Sequence, residues 1–340
     1  MTAERAVPLM TRYRGLICDL DGVVYRGAAA VPGAIETLND LTADGVRVAF
    51  ATNNAARPPD AVEGHLRALG LQPGRWSAVT SSQAAASYLS TRLPPRSAVL
   101  AVGGAGVAQA LADVGLTPLR TTELAGTSVA AVVQGLGADV SWTELAEVGY
   151  LVQAGTVWVV TNLDRMLPTA RGAAPGNGAL VAAVQATTTA TPQVVGKPGP
   201  ALFDLARSRL GTEPVASLVC GDRLDTDIAG ANAAGLDSIL VLSGAARLQD
   251  LAFAPPAERP TYVATDLTGL LQPPVRLRVA PADHLEAGPD ALLRPHFAGN
   301  RSVIQSVVAA AWAACDQGRV VLSDRTTWHT LEHHLGLTRP

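Results

Sequence analysis

Lysine is almost missing from this chain. Of its 26 basic residues, 25 are arginine and Lys197 is the single lysine. Cysteine is scarce as well. Three in 340 residues exclude a disulfide scaffold and point to reduced thiols in a cytosolic compartment. Histidine is sparse, and five of the six lie beyond position 280. Charge of neither sign dominates. With 26 basic and 29 acidic residues the net charge is −3, so the footprint of a nucleic-acid or anionic-membrane binder is absent. Apolar runs such as VAAVV and SVVAAAWAAC fall far short of the ~20 residues that span a bilayer. The N-terminal stretch MTAERAVPLMTRYRGLICDLDG holds no continuous apolar segment ending in a small-residue cleavage site. A cytoplasmic location, with no membrane and no nucleic acid as partner, is the expectation.

What is present is a chain built to bury a core. Apolar residues make up 48% and charged residues 16%, which excludes extensive disorder. At roughly 150 residues per domain, the length suggests two domains and an appendage. Short apolar runs alternate with amphipathic stretches, the signature of an α/β chain with a mostly parallel sheet. Strands are expected at 15–19, 47–51, 98–102, 129–134, 157–161, 193–195, 215–220 and 238–242. Helices are expected at 35–41, 58–69, 84–92, 107–114, 143–153, 179–187, 202–210 and 228–234. From about residue 82 to 187 the alternation forms a unit of its own, so it reads as a domain inserted into a discontinuous core at 12–81 and 188–272. After Gln272-Pro273-Pro274, residues 273–340 form a small C-terminal appendage, with a strand signal at 275–279 and a helix signal at 303–316.

Chemistry-bearing residues fall at four expected strand ends, where ligands bind in parallel α/β sheets. Asp19-Leu20-Asp21-Gly22-Val23 sets two carboxylates two residues apart. Such a carboxylate can attack phosphorus, and a second can move a proton to and from the reacting oxygens. Thr52-Asn53-Asn54 offers a hydroxyl and backbone N–H groups suited to a phosphate oxygen. Gly196-Lys197-Pro198 carries the only lysine but lacks the G-x-x-x-x-G of a phosphate loop. Asp222, Asp225 and Asp227 follow the strand SLVC and are hard oxygen ligands suited to Mg²⁺.

In this order, the four motifs resemble the haloacid dehalogenase superfamily of phosphotransferases, over about residues 14–272. Asp19 and Asp21 match the first motif, Thr52 the second, Lys197 the third, and Asp222 with Asp227 the fourth. The inserted unit resembles the large α/β type-two cap. Within that class the chain is similar to the phosphoglycolate, glycerol-phosphate and 4-nitrophenyl phosphatase group, through DLDGVVY, Val31-Pro32-Gly33-Ala34, Thr52-Asn53-Asn54, Val195–Pro198 and GDRLDTDI. The resemblance implies a Rossmann-like parallel-sheet core with an inserted α/β cap domain.

It further implies a role for each matching residue. Asp19 is the expected nucleophile. Asp21 is the expected general acid/base, its backbone carbonyl a metal ligand. Thr52, Asn53 and Lys197 are expected to bind phosphate. Asp19, Asp21 and Asp222 are expected to hold Mg²⁺, with Asp227 ordering the groups around them. Substrate choice is expected in the cap loop Asn162-Leu163-Asp164-Arg165-Met166-Leu167-Pro168, whose Leu-Pro form resembles glycerol-phosphate and phosphoglycolate phosphatases. The expected activity is a phosphoric monoester hydrolase acting on small phosphorylated metabolites through an aspartyl-phosphate. Glycerol 3-phosphate is the first choice of substrate, with 2-phosphoglycolate or a broad 4-nitrophenyl-phosphate-type range as the alternative. A regulatory binding protein on the same fold is the rival from another class. The family's habit of pairing through caps makes a homodimer an expectation.

Other features read as structural. In Gly103-Gly104-Ala105-Gly106 the dinucleotide pattern would need a small residue where Gln109 stands. Cys18 and Cys220 read as small buried hydrophobes. His329 and His333 read as a solvated helix face. The appendage resembles a fragment of a GNAT-type acyltransferase but lacks the acetyl-CoA-binding pattern. No acyl transfer is expected, and a segment this short should pack on the phosphatase core.

Overall fold

A computed structural model describes residues 7–169, 171–277, 300–317, 325–335 and 337. The architecture is the expected α/β one, with helices alternating with largely parallel strands. The chain divides into two compact units. One comprises Met1–Val48, Leu71–Arg75 and Thr212–Pro340, and the other Ala49–Gly70 and Trp76–Gly211. The division falls inside the strand Arg47–Thr52.

In the first unit the sheet order is Val275–Arg276, Tyr262–Ala264, Asp237–Val241, Ser217–Gly221, Gly15–Cys18, then the start of Arg47–Thr52. Gly15–Cys18 pairs in parallel with Ser217–Gly221, in a register that sets Cys18 opposite Cys220. Both strands are buried along their length, which is why they read as unbroken apolar runs. The edge strand Val275–Arg276 is antiparallel to its neighbour. Helix Ala34–Ala43 starts at Gly33, whose φ of 75° favours glycine. The expected helix at 228–234 is instead a π turn over Leu224–Ile228 running into the short helix Ala229–Ala233.

The appendage packs on this unit. Helix Asn300–Asp316 and helix Arg325–His334 share a buried cluster with helix Leu248–Ala252, including Leu248, Leu251, Val308, Trp312 and Trp328. Arg259 holds Asp316 through two hydrogen bonds of 2.8 and 2.7 Å. Of the expected strand at 275–279, residues 278–279 lie outside the described residues.

The second unit has a five-stranded parallel sheet in the order Gln193–Val194, Val157–Val160, Ala131–Gln134, Ala98–Val102, Thr117–Leu119. Helix Trp142–Gln153 is opened by the Ser141/Glu144 capping box and helix Ser81–Ser90 by the Thr80/Gln83 box. The segment after Thr52 is stitched into this unit. Ser81 and Ser82 donate to the carbonyls of Asn53 and Ala55, each at 2.8 Å. The glycine-rich run at 103–106 serves close packing. A Cβ on Gly104 would meet Ala56 O at 2.6 Å, and one on Gly106 would meet Ala55 O at 2.5 Å. Among the described residues, no helix is long and apolar enough to cross a membrane.

Candidate active site

The first unit gathers three carboxylates. Asp19, Asp222 and Asp227 each offer an oxygen, and these atoms lie within 4.8 Å of one another. Asp19 follows its strand directly, and its N–H donates to the Cys220 carbonyl at 2.8 Å, which extends the strand pairing to the carboxylate. Asp222 and Asp227 are 3% and 2% exposed, so their charges sit where water can do little to screen them. The π turn over Leu224–Ile228 carries Asp227, and Asp227 Oδ2 accepts from the Arg223 N–H at 3.1 Å. Arg223 also pairs with the outward Asp225 at 2.8 Å. Asp225 thus lies outside the carboxylate cluster.

Asp21 is not among the three. It is exposed, and it bridges to Tyr25 where Gly22 turns the chain. The expectation for Asp21 rests on a backbone carbonyl as ligand and a side chain that moves protons, and exposure suits the second of these.

Two glycines define the space around Asp222. Gly22 has a φ of 88°, and a Cβ there would sit 2.3 Å from Asp222 Oδ2. A Cβ on Gly244 would sit 1.8 Å from the same oxygen. The Ala245 N–H donates to Asp222 Oδ2, the Ala246 N–H donates to the Asp222 carbonyl at 2.9 Å, and Ser243 Oγ donates to the Gly22 carbonyl at 3.0 Å. This Ser243–Ala246 loop was not among the expected site residues. Its only sequence signal is Leu-Ser-Gly-Ala-Ala directly after a buried strand.

Cys18 and Cys220, opposite each other on paired strands, are buried and unlinked. The hydrogen bond to Cys18, then burial, then the charges on Cys18, Asp227 and Asp19 push the Cys220 thiol well above its ordinary range.

The second unit gathers Asn53, Lys197, Asn162 and Asp164. The Lys197 N–H donates to Asn53 Oδ1 at 2.8 Å, and Asn53 Nδ2 donates to the Lys197 carbonyl at 3.1 Å and to Asp164 Oδ2 at 3.0 Å. Asn162 Nδ2 donates to the Asn53 carbonyl at 2.7 Å, and Asn162 Oδ1 accepts from the Asp164 N–H at 3.1 Å. Asn177 supports the loop by donating to the Asn162 carbonyl at 2.8 Å. A Cβ on Gly196 would sit 2.1 Å from Thr161 O, so only glycine lets the lysine-bearing turn approach. Lys197 is 4% exposed and Thr52 is buried, with Thr52 Oγ1 accepting from the Asn54 N–H at 3.0 Å. Leu167 stands apart on the hairpin Met166–Thr169 with Gly172–Pro175, its side chain exposed. The side chain of Pro168 lies outside what is described. His329 and His333 are both exposed.

Comparison with known proteins gives this constellation a family. The model of the haloacid dehalogenase-like hydrolases matches residues 16–117, and a second HAD-hydrolase-like model matches residues 194–270. The D-glycerol 3-phosphate phosphatase of Mycobacterium tuberculosis is 45% identical over 266 residues, covering 78% of this chain and 73% of that protein. The chain belongs to the haloacid dehalogenase-like hydrolases. Another relative, the acid sugar phosphatase of Staphylococcus aureus, is 34% identical over 242 residues, 71% of this chain and 91% of that protein. Among solved structures, the glycerol phosphate phosphatase of M. tuberculosis in complex with magnesium superimposes with a TM-score of 0.81 at 37% identity, covering 98% of this chain and 100% of that one. Membership in the haloacid dehalogenase-like hydrolases accounts for the order of the four motifs along the chain.

Proposed function

We propose that this haloacid dehalogenase-like hydrolase is a Mg²⁺-dependent phosphomonoesterase whose substrate is glycerol 3-phosphate. The observation that carries the reading is its 45% identity to a D-glycerol 3-phosphate phosphatase, over most of both chains. The Leu167-Pro168 form of the cap loop supports the same choice.

Three carboxylates with oxygens within 4.8 Å of one another are a donor set that fits a hard divalent cation. Asp19, Asp222 and the Asp21 carbonyl are the proposed ligands. Asp227, with its oxygen in the same cluster, is the proposed orienting residue. When bound, Mg²⁺ supplies positive charge that offsets that of the phosphate and the carboxylates.

In the proposed reaction an Asp19 oxygen forms a bond to phosphorus as the bond from phosphorus to the alcohol oxygen breaks. Asp21 gives its proton to the departing oxygen. Water then attacks phosphorus, Asp21 takes the proton of that water, and the bond to Asp19 breaks to release phosphate. In the second unit, Thr52 and Lys197 are the proposed holders of the phosphoryl oxygens. Asn53, its side chain engaged with Lys197 and Asp164, is proposed to bind phosphate through its backbone. Asn162, Asp164, Leu167 and Pro168 are the proposed determinants of the alcohol.

The test is a screen of phosphorylated metabolites ranked by kcat/KM, with Mg²⁺ and with EDTA. Glycerol 3-phosphate should rank first, and EDTA should silence turnover until Mg²⁺ is returned. A higher rank for 2-phosphoglycolate overturns the substrate, and full activity in EDTA overturns the metal. The homodimer is tested by light scattering, where a single-chain mass overturns it.

A further inference from the structure

We propose that Glu332, in the C-terminal appendage, is a positioning residue for the proposed Mg²⁺ ligand Asp222. The inference rests on the reading of Asp222 as a metal ligand.

The chain of contacts is short. Glu332 is a carboxylate only 6% exposed. Its Oε1 accepts from the Leu248 N–H at 2.9 Å, and its Oε2 lies 3.8 Å from Arg247 Nη1. Leu248 opens the helix Leu248–Ala252, and the appendage grips that helix again near its end, where Trp312 Nε1 donates to the Leu251 carbonyl at 2.8 Å. Immediately before this helix come Ala245 and Ala246, whose N–H groups hold the carboxylate and the carbonyl of Asp222.

A buried carboxylate is costly unless it is paired. Removing its acceptor oxygen takes away one of the groups that hold the start of the helix, where Asp250 Oδ2 also accepts from the Arg247 N–H at 2.8 Å, and the loop before it has no slack. Gly244 already lies so close to Asp222 that a Cβ would overlap its Oδ2, at 1.8 Å. A shift of the loop therefore turns the Asp222 carboxylate. Orienting partners of metal ligands tune affinity, and their loss typically costs ~10- to ~100-fold. Glu332 acts at one remove, so its loss should cost less than that of such a direct partner.

The test is calorimetric titration of the full chain with magnesium chloride. Asp222→Asn should abolish binding. Glu332→Leu should weaken binding by about three- to tenfold. Glu332→Gln, which keeps an oxygen to accept from Leu248, should restore wild-type affinity. A merely structural Glu332 would lower the melting temperature of the leucine variant and leave its magnesium affinity unchanged, and that result overturns the proposal. Should Glu332→Leu fail to fold, the wild type decides. Linkage requires that saturating Mg²⁺ slow amide hydrogen exchange over residues 243–252 and also over 325–335. Unchanged exchange over 325–335 overturns the proposal. Absence of Mg²⁺ binding in the wild type, or full binding in Asp222→Asn, overturns the metal-site reading instead.

Discussion

Asn53 holds both polar groups of the Lys197 main chain. The Lys197 N–H donates to Asn53 Oδ1 at 2.8 Å, and Asn53 Nδ2 donates back to the Lys197 carbonyl at 3.1 Å. The amide also reaches Asp164 Oδ2 at 3.0 Å, so one side chain ties the only lysine to the cap loop. Asn53→Ala removes this clamp and should lower kcat/KM by about 10²-fold, a loss like that of one oxyanion donor. Asn53→Asp should be worse than alanine, because it sets a second carboxylate against Asp164. Steady-state kinetics on the two variants checks the order. Alanine and wild type performing alike would mean that Lys197 needs no clamp.

Lys197 itself should not tolerate arginine. An ammonium is a compact point charge, whereas guanidinium is a broad planar fork. At 4% exposure there is little room for the larger head group. Lys197→Arg should lose about 10²-fold or more in kcat. Retained kcat would show that charge alone suffices.

Asp19→Asn should abolish turnover while leaving the melting temperature unchanged or raised. The amide keeps the shape but cannot attack phosphorus, and it removes one of three charges whose oxygens lie within 4.8 Å. Thermal melting in metal-free buffer reads the second half of the prediction. A marked fall in melting temperature would show that Asp19 is needed for folding.

Gly244→Ala should impair the metal site, whereas Gly64→Ala should not. A Cβ at Gly244 would meet Asp222 Oδ2 at 1.8 Å, while nothing lies within 4 Å of a Cβ at Gly64. Gly64 sits in the helix Pro59–Ala68, so alanine there should stabilise by roughly 0.5–1 kcal/mol. Comparing magnesium activation curves of the two variants checks the contrast. Equal curves would mean that the loop yields freely.

The raised Cys220 thiol has a consequence for pH. A folded-state value above the ordinary 9.0 means that the folded protein binds this proton more tightly than the unfolded chain. The associated stability is complete below pH 9.0 and is lost as the pH rises beyond it. Denaturant unfolding should therefore show stability falling above that pH. In the native protein, alkylation should reach the partly exposed Cys315 before Cys18 or Cys220. Stability rising above pH 9.0 would contradict the assignment.

Much of this arrangement is legible in the sequence, and for a physical reason. Strands buried on both faces, such as Gly15–Cys18 and Ser217–Gly221, leave continuous apolar runs. The carboxylates, threonine and lysine at strand ends announce their chemistry by residue type. The Ser243–Ala246 loop is not legible, because Gly244 and Ala245 act through backbone N–H groups and the lack of a side chain. Nor is the position of Asp227, since the π turn that carries it departs from the 3.6-residue period. The helix Ser81–Ser90 begins three residues before the expected 84 because the Thr80/Gln83 capping box, not apolar periodicity, sets its start. The strand Tyr262–Ala264, one in from the edge, and the hairpin strand Met166–Thr169 are too short to show a pattern. Glu332 reads as one more charge on an exposed helix face until its contact with Leu248 is seen.

The central claim is that Asp19 carries the phosphoryl group. An acyl phosphate is reduced by borohydride, which turns the aspartate into homoserine. The decisive measurement is peptide mass spectrometry after borohydride is added during turnover of glycerol 3-phosphate. The account predicts homoserine at position 19 alone, and only when substrate and Mg²⁺ are both present. Modification at another carboxylate, or turnover that leaves Asp19 unreduced under conditions that trap a control acyl phosphate, would contradict it.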